Sequence, residues 1–194
     1  MSRPRLFIVA GTPGSGKDEI IRAVRDLGVS HATIVPKHTN RARQVDDGQE
    51  MICPGEKGFN LESCQVKYGN FKKQYGIRTD TIWKNLRLGI TQVLVVSNIQ
   101  AIQRLLDIFG DCVRLIYVHS TVTPEDFARQ AEELHYNSDY TNPRIAEYWD
   151  AFDDYVHNIQ WFDHVLIHAA ENEDLYDQVF RLFRAYEQGE LREQ

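Results

Sequence analysis

One eight-residue stretch, Gly11-Thr12-Pro13-Gly14-Ser15-Gly16-Lys17-Asp18, restricts what this chain can fold into more than any other. An apolar run, Leu6 to Ala10, precedes it and a segment with helical periodicity follows, so the order reads strand, glycine-rich turn, helix. That context is what a phosphate-binding loop requires. Glycines let backbone N–H groups close on a polyphosphate, the helix N-terminus adds partial positive charge, and Lys17 can reach the terminal phosphates. All eight residues are therefore candidate nucleotide contacts. Asp18 stands where the pattern has Ser or Thr, whose hydroxyl would ligate Mg²⁺. The plainer reading is a tight strand-to-helix turn, but lysine, spaced glycines, strand and helix together favour the phosphate site.

Bulk properties narrow the partners. With 194 residues, 42% of them hydrophobic, the chain can bury a full core in a single domain. A formal charge of -6 argues against a nucleic acid held on a broad basic surface, so any anion site must be a local concentration of Lys and Arg. The three cysteines, Cys53, Cys64 and Cys112, lack metal-ligand spacing and leave an odd count, which fits a reducing cytoplasm. The apolar run before Gly11 is too short for a membrane span, and no membrane partner is expected.

Taken in order, the chain predicts repeated β/α units. A strand over Thr33 to Pro36 follows the first helix, which stops at Gly28. Lys37-His38-Thr39-Asn40-Arg41-Ala42-Arg43 is basic, and reads either as a solvated loop or as an anion clamp of Lys37, Arg41 and Arg43. A hairpin with its turn at Gly69-Asn70 should follow, then a helix capped by Thr79. Val93 to Val96 has the uninterrupted apolar character of a buried parallel strand. Ser97-Asn98 caps a helix with Ile99, Ile102, Leu106 and Phe109 on one face, and Val113 to His119 is the next strand. Thr123-Pro124-Glu125-Asp126 opens a helix that a polar break, His135 to Asn142, ends. Asn142-Pro143 starts another, with a buried stripe of Ile145, Trp149, Phe152, Val156 and Ile159. The two helices could close as a lid. A last strand, His164 to His168, precedes a helix presenting Leu175, Val179, Leu182, Phe183 and Tyr186.

This arrangement, with Thr39-Asn40-Arg41 and Arg43, Asp47-Gly48, Gly69-Asn70 before Tyr75-Gly76, and Ile99-Gln100-Ala101, resembles the nucleoside monophosphate kinase group. Within it the chain looks most like guanylate kinase, while Gly16-Lys17-Asp18 and Ile77 resemble ribose 1,5-bisphosphate phosphokinase. The resemblance implies an α/β P-loop NTPase fold of three layers: a five-stranded parallel sheet with helices on both faces, a small β-containing insertion and a helical lid. It divides one kinase-like domain into a core (1–36, 77–119, 144–194), an acceptor-binding insertion (37–76) and a lid (120–143). It implies ATP and Mg²⁺ as cofactors, a small phosphorylated substrate, and a monomer or homodimer. Lys17, Asp18, Arg129 and Arg144 become the catalytic candidates, the last two as lid arginines. Asp18 is the metal candidate, and Lys37, Arg41, Arg43, Tyr75 and Asn98 the substrate contacts. Departures from guanylate kinase shift the acceptor away from GMP: Met51 replaces a phosphate-contacting tyrosine, and Gln65 and Val66 fall where guanine is read by an acid. Glu147 and Tyr148 stand in place of lid arginines, which implies slow or unusual catalysis.

Three functions follow as expectations. The leading one is an ATP-dependent kinase for a nucleoside monophosphate or a ribosyl phosphate. A binding module with the same fold and little turnover is the second. A metal-dependent hydrolase built on His119, His164 and His168 is the third, against the plainer view of these histidines as structural.

Overall fold

The computed structural model describes residues 4–28, 32–43, 47–70, 73–121, 123–133, 138–169 and 173–189. The expectation is met in outline: an α/β fold with a five-strand parallel sheet flanked by helices. Its strand order is β2-β7-β1-β8-β9, from β1 (Leu6–Gly11), β2 (Thr33–Ile34), β7 (Gln92–Val95), β8 (Val113–Ser120) and β9 (His164–His168). A second sheet of four strands has the order β4-β3-β6-β5, from β3 (Lys37–Thr39), β4 (Met51–Ile52), β5 (Val66–Asn70) and β6 (Lys73–Ile77). By internal packing the chain falls into two units, residues 1–8 with 30–114, and residues 9–29 with 115–194. Among the described residues no helix is long and apolar enough to cross a membrane.

In the first unit β2 is shorter than expected. It pairs with β7 only at Thr33 and Ile34, because Pro36 brings no N–H to the ladder and the chain then enters β3 at Lys37. The basic segment therefore begins as a strand, with His38 and Thr39 buried. The hairpin is displaced too. Gly69 and Asn70 are paired strand residues, opposite Gln74 and Lys73, so the expected turn moves to residues 71–72, which lie outside the described residues. The register places Tyr68 opposite Tyr75, where the rings stack at 5.3 Å. Gly76 is required by close approach: a Cβ there would come within 2.7 Å of Cys64 and of Leu61 Cδ1.

Helix α2 (Thr79–Arg87) starts one residue earlier than its predicted cap would allow. Arg78 is the N-cap and Thr79 the first helical residue, and the Gln65 amide oxygen accepts from the Thr79 N–H at 2.8 Å and from its hydroxyl at 3.2 Å. Helix α3 (Ile99–Phe109) is capped as expected, the Asn98 Oδ1 accepting from Ala101 N–H at 2.9 Å. Its buried face is rotated, however, to Ala101, Ile102, Leu105 and Phe109, and Phe109 meets Trp83 of α2 at 4.9 Å.

In the second unit α1 (Lys17–Leu27) packs on α6 (Glu173–Gln188), and β8 pairs with β9 from Ile116↔His164 to Ser120↔His168. Helix α4 (Pro124–Glu133) opens on the predicted box: the Thr123 hydroxyl accepts from Asp126 N–H at 3.1 Å and donates to its carboxylate at 2.9 Å. Helix α5 (Ser138–His157) differs from expectation in two ways. It begins at Ser138, so Asn142-Pro143 lies inside it, and of the predicted polar break residues 135–137 lie outside the described residues. The predicted lid boundary at 143/144 thus falls within a continuous helix. Its predicted stripe holds only in part: Ile145 and Phe152 are half-buried, but Trp149, Val156 and, just beyond the helix, Ile159 are 47%, 48% and 54% exposed. The inward stripe is Tyr148, Phe152 and Tyr155. Tyr155 stacks on the buried Tyr117 of β8 at 3.5 Å, and Phe162 closes edge-on at 5.5 Å. Flat aromatic contact with the sheet outweighs the aliphatic residues in fixing which way the helix faces.

The buried His38 makes the insertion sheet sensitive to acid. Its Nδ1 accepts from Asn60 N–H at 3.2 Å, and burial, helped by the Arg78 charge, lowers its pKa from the ordinary 6.5. The neutral ring is therefore preferred in the folded state, and the stability it contributes is complete above pH 6.5 and lost as the pH falls through the depressed folded value. We predict that urea midpoints drop between pH 7.5 and 5.5, and that His38→Gln, which keeps an acceptor without a titration, flattens this dependence.

Candidate functional site

The glycine-rich loop lies in the second unit. Gly14 and Gly16 take left-handed conformations, with φ of 74° and 89°, which turn the chain from β1 into α1 without the Cβ penalty other residues would meet. Gly11 is needed for a different reason: a Cβ there would strike Ser15 Oγ and lie 2.6 Å from the Val118 carbonyl oxygen. Ser15 N–H donates to Thr12 O at 3.1 Å, closing the loop, and both residues are buried. Gly16 is the N-cap of α1 and brings no side-chain acceptor to its first turn. The amides and the positive end of the helix dipole are thus not masked by a cap from Gly16, which suits a polyphosphate. The Lys17 ammonium donates to Gly11 O at 2.9 Å, Thr12 O at 2.5 Å and Ser15 Oγ at 3.3 Å, folded back over the loop mouth. Asp18, in the first turn of α1, is exposed and has no side-chain hydrogen bond among the described residues. A solvent-facing carboxylate beside the glycine-rich loop is a hard oxygen donor of the kind Mg²⁺ takes.

The basic cluster lies in the first unit and is internally paired. Arg41 forms a two-pronged ion pair with Asp47, Nη1 donating to Oδ2 at 2.6 Å and Nη2 to Oδ1. The Asp47 hydrogen bond, joined by one to Tyr75, holds the guanidinium above its ordinary pKa despite burial. Lys37 Nζ sits 5.8 Å over the Tyr75 ring. Lys37, Arg41 and Tyr75 are thereby brought together. Arg43 is drawn elsewhere: it forms an ion pair with Glu56 and donates to the carbonyls of Asp47, Gly48 and Met51 at 2.9, 3.2 and 2.9 Å. Its fork organises the 47–56 loop. Asn98 directs its amide oxygen to its own helix α3. Sequence reading missed Glu56, Asp47 as a carboxylate partner, and Tyr68 as the base under Tyr75. The acid in Gly55-Glu56-Lys57-Gly58, thirteen residues from Arg43, was the available signal.

Of the lid arginines, Arg129 pairs with Asp126 on α4 at 2.5 Å, and Arg144 belongs to α5 but its side chain lies outside the described residues. The histidines do not assemble as a metal set suggested: His164 Nε2 meets the Tyr186 hydroxyl at 2.6 Å, while His168 lies against Gly16. Among the described residues no group of three or more His, Cys, Asp or Glu could hold a metal.

No protein-family model matches this chain, and no curated protein sequence matches it. Among solved structures it is similar to guanylate kinase from Anaplasma phagocytophilum, with a TM-score of 0.65 and 14% identity, over 95% of this chain and 86% of that one. At that identity the likeness establishes a guanylate kinase-like fold.

The Arg43–Glu56 pair gives a direct test of the loop geometry. The Arg43 hydrogen bonds, with the Cys53 N–H at 2.9 Å, hold the Glu56 carboxyl down at about 2. Its stabilising effect is present above the ordinary value of 4.5 and lost as the pH falls towards 2. Carboxyl NMR titration should find Glu56 ionised at pH 3, and Arg43→Gln should raise its titration towards the ordinary range, the Cys53 N–H remaining as a donor.

Proposed function

We propose that this protein is an ATP-dependent phosphotransferase acting on a small acceptor that already carries a phosphate. The observation that carries the reading is the loop itself, two left-handed glycines and Lys17 at an uncapped helix start, in a guanylate kinase-like fold. The amides of the loop bind the polyphosphate, and Lys17 leaves the carbonyls of Gly11 and Thr12 to follow the transferred group. Asp18 would be the residue to hold a Mg²⁺ ion there. When bound, ATP supplies the phosphoryl group and Mg²⁺ offsets its negative charge. Arg41, steadied by Asp47 and Tyr75, with Lys37 beside it, grips the acceptor phosphate through its planar fork.

The acceptor we favour is a ribosyl phosphate such as ribose 1,5-bisphosphate over GMP. Gln65, at the position where guanylate kinases read guanine, is engaged by Thr79, and its amide nitrogen donates to Ser63 O at 2.8 Å. Ile77 is fully buried and offers no hydroxyl. A base would find its polar edge unmatched, which discriminates strongly against it. One observation favours a second reading, a nucleotide-binding module of low turnover: the Arg43 fork is committed to Glu56 and three carbonyls, leaving fewer cations for transfer.

ADP release with ATP and Mg²⁺, assayed against GMP, dGMP, AMP, UMP and ribose 1,5-bisphosphate, separates these readings. Turnover with the bisphosphate is the expected result; ATP binding without turnover on any acceptor supports the module. Lys17→Ala should reduce turnover about a hundredfold or more. Asp18→Ala, which leaves no oxygen donor at that position, should raise the Mg²⁺ concentration at half-maximal rate, and an unchanged Mg²⁺ dependence would remove Asp18 from the metal site.

A further inference from the structure

The carboxyl end of β9 brings a histidine onto the phosphate loop. A Cβ built on Gly16 would lie 2.6 Å from His168 Nδ1, 2.8 Å from Cγ and 3.0 Å from Cε1, so the imidazole already rests on the Gly16 Cα. Gly14 has a similarly positive φ yet open space at the same point. Gly16 is therefore restricted twice, by its left-handed backbone and by the ring.

The ring is mounted rigidly. His168 pairs with Ser120 in the β8–β9 ladder, and its carbonyl accepts from Thr121 N–H at 3.1 Å. The preceding residue is pinned to α6, Gln178 Oε1 accepting from Ile167 N–H at 2.9 Å while its Nε2 donates to Ile167 O at 2.8 Å. A side chain on so constrained a strand end holds whatever it touches. It touches the pivot of the loop: Gly16 O accepts from Glu19 N–H at 3.0 Å and from Ile20 N–H at 3.3 Å, so the orientation of this one residue sets where the first amides of α1 point.

We propose that His168 is a positioning residue of the nucleotide site, its ring holding Gly16 left-handed so that the loop amides are aimed at the polyphosphate before it binds. The inference rests on the phosphate-loop reading and adds to it a part contributed by the far end of the sequence. It acts through van der Waals contact between the ring and Gly16, so the shape of the ring is what the proposal depends on. Without the ring the loop must be ordered at the moment of binding, which weakens affinity.

The test is titration of the full chain with the fluorescent nucleotide mant-ADP. His168→Ala should weaken binding about tenfold. His168→Phe, which keeps a ring against Gly16, should bind within about twofold of the wild type; it also carries the test if His168→Ala fails to fold, as thermal melts of the ligand-free variants would show. Gly16→Ala should bind poorly, and Gly16→Ala with His168→Ala should bind more tightly than Gly16→Ala alone, because the ring no longer occupies the Cβ position. Equal affinity of His168→Ala and wild type, loss of affinity in His168→Phe, or a double variant no tighter than Gly16→Ala would each overturn the proposal. A wild type that binds no mant-ADP overturns the phosphate-loop reading and this proposal with it.

Discussion

The turn from β1 into α1 depends on backbone that only glycine adopts readily. Gly14 and Gly16 carry positive φ, and Gly11 leaves room for Ser15 and the Val118 carbonyl. These three positions curl the loop tightly enough for the Lys17 ammonium to reach back to the carbonyls of Gly11 and Thr12. The same curl starts α1 without a side-chain cap from Gly16 and with its positive end forward. Glycine in such positions sacrifices chain entropy, which a fold tolerates where a close approach demands it.

The insertion is held by a different force. Its sheet is small, with strands of two to five residues, and ion pairs supplement its modest apolar core. Arg41 and Asp47 are only 12% and 7% exposed, so removing either partner would strand a largely buried charge, at a cost on the order of 3 kcal/mol. The pair thus restrains a guanidinium that would otherwise be a floppy surface side chain. Arg43 and Glu56 do the same for the neighbouring loop, at a more exposed position where solvent screens them. One arginine of the expected clamp is consequently structural in its contacts, while the other stays beside Tyr75 and Lys37.

In the second unit the aromatic stack of Tyr117, Tyr155 and Phe162 decides how α5 lies on β8. Burying Tyr117 and Tyr155 face to face turns Trp149, Val156 and Ile159 outward, although those residues would have made an equally regular helical stripe. Burial also pushes the Tyr117 hydroxyl above the usual phenol range, so it remains neutral in the core.

Local chemistry determined much of this protein from the sequence alone. The loop from Gly11 to Asp18, the stop at Gly28, the Asn98 cap and the Thr123–Asp126 box are set by residues within a few positions of one another, and the structure has the helices beginning and ending there. The apolar runs likewise marked the strands, because a strand buried on both faces has little room for polar side chains. What the sequence left open was anything fixed by partners far along the chain. The Gly69-Asn70 pair reads as a turn, but pairing of Tyr68 with Tyr75 draws it into the strand. The face of α3, the direction of α5 and the partners of Arg41 and Arg43 all required knowing which surface lay opposite. The contact of His168 with Gly16 joins residues 152 positions apart, and a histidine at a strand end gives no local sign of what it will touch. Periodicity and capping are properties of neighbours in sequence, whereas packing and ion pairing select among equally regular alternatives only once the chain has folded.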